Sequence, residues 1–112
     1  MEQVDANRLA DMIFALARDV EQLAKENRYY FGDKLAWITI WYRDAIKPEI
    51  ADTPEAYDMD RILGTLEDFC DLNEREWRRM AKARKQALEM MRVATNQVVR
   101  RLLRQALEAA NK

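Results

Sequence analysis

Residues 73–110 read NEREWRRMAKARKQALEMMRVATNQVVRRLLRQALEAA, a stretch with neither glycine nor proline. Asn73 with Glu76 three residues later has the form of a capping box. Beyond it Trp77, Met80, Ala81, Ala87, Leu88, Met91, Ala94, Val98, Val99, Leu102 and Ala106 recur at helical spacing and share one face. The pattern predicts a helix over about 74–110, on the order of 50 Å long if unbroken. A helix of that length outruns a small bundle, and its free part is expected to meet a second copy or another protein.

Working upstream, Thr53 followed by Pro54 reads as an N-cap and a first-turn proline. They open a third helix over about 54–72, with Met59, Ile62, Leu63, Leu66, Phe69 and Cys70 as its apolar stripe. A second helix over about 34–47 is expected to stop at Pro48. Its apolar residues, Leu35, Trp37, Ile38, Trp41, Tyr42, Ala45 and Ile46, cover about half the circumference by the 3.6-residue period. The β-branched and aromatic run Trp37–Tyr42 also suits a strand, but no other segment offers a partner for it. The first helix is predicted over about 5–31, with Gly32 as its left-handed C-terminal cap and Asp33 capping the next.

The expected fold is therefore all-α, a four-helix bundle-like domain spanning 1–112 with a long C-terminal helix. Composition agrees. Apolar residues make up 49% and charged residues 35% of a 112-residue chain, enough for one core. No apolar run approaches the roughly 18 residues of a membrane span, and the N-terminus lacks the pattern of a secretory signal. Cys70 has no second cysteine to pair with, which suits a reducing compartment, so a cytoplasmic location is expected.

Histidine is absent, which removes Ser-His-Asp and Cys-His catalysis and imidazole metal sites. There is no phosphate-binding glycine loop and no Cys-x-x-Cys. Asp58, Asp60, Glu67, Asp68 and Asp71 cluster on the third helix, and facing carboxylates can hold Mg²⁺. The Glu-Glu-x-x-Glu motif of all-helical nucleotide pyrophosphohydrolases is missing, however, and the calcium-loop pattern fails after Asn73. A carboxylate-metal hydrolase is the weakest reading. Neither catalytic nor metal residues, nor a cofactor or small-molecule substrate, are expected. Cys70, between Asp68 and Asp71, reads as a small core residue instead of a nucleophile.

Charge is unevenly distributed although the net is −1. Residues 1–76 hold 18 acids and 9 bases, a balance of −9, whereas residues 77–112 hold 2 acids and 10 bases, a balance of +8. Arg78, Lys82, Arg92, Arg100, Arg101 and Arg104 fall mostly opposite the apolar face of the last helix, which makes them the candidate partner-binding surface. Leu102, Leu103 and Leu107 are the candidate oligomer interface, with a dimer favoured. Trp37 and Trp41, at the edge of their stripe, are candidate aromatic anchors. Arg84 stands inside the apolar stripe, so a carboxylate partner from another helix or from another subunit is expected for it.

These features rank a non-enzymatic protein-interaction or regulatory module first, self-associating through the C-terminal helix. A nucleic-acid-binding regulator that uses the basic face comes second. The size, helical composition and lack of a chemical motif are of the general type of small bacterial or phage accessory proteins, with no family motif beside them.

Overall fold

In the computed structural model residues 6–110 are described, and their regular structure is entirely helical. The elements are α1 (Ala6–Leu23), α2 (Arg28–Trp41), a π-turn (Tyr42–Ile46), α3 (Lys47–Ile50), α4 (Pro54–Asp68), a 3₁₀ turn (Phe69–Asp71), α5 (Glu74–Arg79) and α6 (Ala81–Ala110). The side chains of Ala6, Ala106 and Ala110 lie outside the description. So does the expected helix start at Asp5.

Helix α6 is the spine. It packs along α1 on one side and α4 on the other, while the α2 to α3 segment closes the bundle against α1 and α4. Glu55 at the start of α4 meets Arg101 late in α6, and Glu21 and Ala24 at the end of α1 lie beside Lys85 and Leu88 early in α6. Both neighbours therefore run antiparallel to the spine. One core cluster fills the interior, built around Ile13, Leu16, Phe31, Leu35, Leu63, Leu66, Met91 and Val98. The molecule measures 57 × 25 × 21 Å, its long axis exceeding the roughly 45 Å of a 30-residue helix.

The first predicted helix is in fact two. Between Leu23 and Arg28 the amides of Ala24, Lys25 and Glu26 turn back to carbonyls three residues earlier. The Asn27 side chain then accepts from the amides of Tyr29 and Tyr30 as the N-cap of α2. The physical reason is polarity. Continuing the stripe from Leu23 would place Glu26 or Asn27 in the core, and neither could be buried there without a partner. Gly32 is accordingly no cap. It lies within α2 at negative φ, and a Cβ there would sit 3.7 Å from Cys70.

Pro48 does not end the second helix either. The chain widens into the π-turn, where the Lys47 amide donates to the Tyr42 carbonyl, and Pro48 falls in the first turn of α3, where a missing N–H is harmless. The wide turn also corrects the phase. Steps of four residues in a uniform α-helix would each rotate about 40°, yet Tyr42, Ile46 and Ile50 are all buried. The buried Tyr42 hydroxyl donates to the Ala56 carbonyl at 3.3 Å, and burial, reinforced by the charge of Asp60, pushes its pKa far above the usual tyrosine value.

Thr53 caps α4 through the Ala56 amide, as its sequence predicts, and Asn73 caps α5 through the Glu76 amide. The long helix is interrupted once, at Met80, whose ψ of 11° separates α5 from α6 while its carbonyl still accepts from the Arg84 amide. This break turns the Trp77 ring onto Phe31, with centroids 5.1 Å apart and planes at 73°. Among the described residues of its own chain Arg84 does not find a carboxylate; the alternative of one from another subunit lies outside a single chain. Its Cζ lies 3.5 Å from the Trp77 ring centroid, and Nη1 donates to the Trp77 carbonyl at 2.8 Å. A flat, weakly hydrated guanidinium can be half-buried on an aromatic face, so no counter-ion is required.

Candidate interaction surface

Leu102 is the last buried residue of α6 among its described side chains. It is part of the chain's own core, so of the three leucines expected at an oligomer interface only Leu103 and Leu107 are presented to solvent. Leu107 keeps 64% of its surface. All side chains described beyond Leu103 are exposed, and the helix projects about 12 Å past Leu102 at 1.5 Å per residue.

The basic residues divide into held and free. Arg101 reaches back to α4, where Nε and Nη2 donate to the two carboxylate oxygens of Glu55 at 3.1 and 2.8 Å. The Glu55 side chain is only 13% exposed, and its bonds to Arg101 outweigh burial and hold its pKa below the usual carboxylate range. Arg78 pairs with Glu74 at 3.1 Å and Arg92 with Glu89, both within a helix. Lys82, Arg100 and Arg104 are exposed and form no ion pair among the described residues. The residues expected to act as one surface are thus split. Lys82 lies more than four turns of helix from Arg100, and Arg101 is occupied within the fold.

Gln97, Arg100, Arg101 and Arg104 nevertheless converge, together with Glu55, on a recess of about 200 Å³. Next to it, sharing Gln97, a groove of about 240 Å³ runs between α4 and α6, bordered by Asp58, Arg61, Ile62, Met90, Val93 and Ala94. Met90 and Val93 are half-exposed and fall outside the main apolar stripe, which is why a search for a single stripe passes over them. The signal was available: apolar residues three apart, off phase with their helix, mark a second face.

The tryptophans part company. Trp41 packs against the core, whereas Trp37 is 75% exposed and borders a recess with Asp19, Gln22 and Lys34. Three acids of the α4 cluster are held in ion pairs, Asp58 with Arg61, Asp60 with Lys47 at 2.7 Å and Glu67 with Arg43. Among the described residues no three His, Cys, Asp or Glu side chains converge as a metal ion would require. Cys70 is half-buried at the edge of the core, and burial, with Asp71 and Glu67 nearby, raises its thiol pKa and keeps it protonated. No helix is long and apolar enough to cross a membrane among the described residues.

Comparison with known proteins finds no family model that matches the chain, and no curated protein or solved structure significantly similar to it.

Proposed function

We propose that this chain is a non-enzymatic, cytoplasmic protein-interaction module that self-associates through the projecting end of α6 and offers the free arginines of that helix to another protein. The observation that carries the reading is the pair Leu103 and Leu107. They lie one helical turn apart on a segment whose described side chains are all exposed, and because each is already partly covered, burying the remainder against a second copy would be worth roughly 1 kcal/mol per leucine. A twofold pairing of projecting helices uses the same patch on both copies, which favours a dimer.

Sedimentation equilibrium at micromolar concentration is expected to report a dimer for the wild type and a monomer for Leu103→Asp/Leu107→Asp, with unchanged helical circular dichroism. A wild type that stays monomeric at about 100 μM, a generous upper bound for a useful homodimer affinity, would sink self-association.

A second reading, binding to nucleic acid, draws support from Arg79, Lys82, Lys85, Arg100 and Arg104, which form no ion pair among the described residues. It requires gel-shift affinity for DNA or RNA that falls steeply with salt, because each neutralised phosphate releases counterions.

A further inference from the structure

We propose that the crevice between α4 and α6 docks a short helical segment of a partner protein, one that carries apolar side chains at one end and carboxylates at the other. The proposal rests on the reading of α6 as an interaction surface and supplies the partner's chemistry.

The upper half of the crevice is apolar. Ile62 and Ala94 are buried, and Met90 and Val93 stand half-exposed beside them in a groove of about 240 Å³. Its charged rims are already neutralised within their own helices, Asp58 by Arg61 on α4 and Glu89 by Arg92 on α6. No cation without a carboxylate is offered on these rims, so what the groove rewards is apolar surface removed from water.

In the lower half the balance changes. Glu55 is committed to Arg101 by two hydrogen bonds, which leaves Arg100 and Arg104 as two cations without a carboxylate among the described residues. Gln97 borders both halves, so the surface is continuous. From Val93 to Arg104 it runs about 16 Å along α6, three turns of helix. An amphipathic helix laid along it would set its apolar residues beside Met90 and Val93 and its acids, two to three turns away, beside Arg100 and Arg104.

Two other occupants fit less well. A phosphate backbone following the crevice would meet Asp58 and Glu89 on the rims of its upper half, where no cation is left to receive it. A second copy joined through Leu103 and Leu107 would lie beside the lower half, because Leu107 is about 20° round α6 from Arg100, and it would set the same arginines against each other, like charge against like.

The test pans a displayed library of helical peptides against full-length Leu103→Ser/Leu107→Ser protein, so that self-association cannot mask the groove and no new carboxylate stands three residues from Arg100 or Arg104. A parallel selection uses the same protein with Arg100→Glu and Arg104→Glu added. Enriched peptides are expected to carry two apolar residues three or four apart, followed within two to three turns by Asp or Glu. Their affinity is expected to fall about tenfold or more, measured by fluorescence anisotropy, on Arg100→Glu/Arg104→Glu and on Val93→Glu. Circular dichroism checks that each variant keeps its helices.

Failure to enrich any peptide, enrichment without acids, or equal binding to the charge-reversed protein would each overturn the proposal. So would nucleic-acid binding that depends on the same two arginines. Self-association is read from different residues, so a monomeric wild type would remove the dimer and leave the peptide result standing.

Discussion

At the scale of single residues, the charge left over after folding matters more than the total. The sequence assigns Arg100, Arg101 and Arg104 one role, yet Arg101 is tied to Glu55 while the other two are not. Reversing all three would therefore mix a structural lesion with a surface one. The pair also sets an acid limb. Because the folded Glu55 pKa is depressed, its contribution to stability is complete above the unfolded value of about 4.3 and is lost as pH falls through the lower folded value. The melting temperature of Glu55→Gln is expected to lie below wild type near neutrality, with the gap closing as the solution is acidified; a gap that stays constant below pH ~4 would contradict the assignment. Gly64 offers a cleaner test of packing. It lies inside α4 with nothing within 4 Å of an added Cβ, so Gly64→Ala is expected to raise stability by about 0.5–1 kcal/mol in urea unfolding. A loss of stability there would mean a tighter environment than the one described.

At the scale of elements, boundaries marked by side-chain caps could be read from the sequence, and those set by three-dimensional packing could not. Thr53 and Asn73 announce α4 and α5 because a cap is a local bond between a side chain and the amide three residues later. The divide at Asn27 is capped in the same way, but Gly32 and Asp33 supplied a more conventional stop five residues on. Asn27→Ala is expected to cost about 1 kcal/mol of stability, the usual value of such a cap, and a neutral result would return α1 and α2 to one continuous helix. The passage through Pro48 was not legible. Proline says only that an ordinary α-helix cannot continue unchanged, and the choice of a π-turn follows from the need to bury Tyr42, Ile46 and Ile50 together. Arg84 was found on the stripe as expected. Its partner was not, because the break at Met80 that swings Trp77 beneath it has no glycine or proline to mark it.

At the scale of the whole molecule, the polarity of the chain is not cancelled by folding. The final basic segment makes one ion pair with the preceding acidic part beyond its own helix, Arg101 with Glu55, among the described residues. The excess charge therefore stays at the surface, available to steer an oppositely charged partner at low salt. The projecting end of α6 has a different consequence. Helical segments without packed neighbours open at little free-energy cost, whereas those in the core exchange their amides only on global unfolding. Amide protection measured by hydrogen exchange in dilute protein is expected to drop sharply after Leu102 and to spread toward residue 107 as concentration rises; uniform protection along α6 in the monomer would be inconsistent with this. If the proposed self-association covers this segment, it would act as a thermodynamic gauge of its own occupancy, fraying when alone and holding its protons when covered, and association at this end would also be the last step of folding.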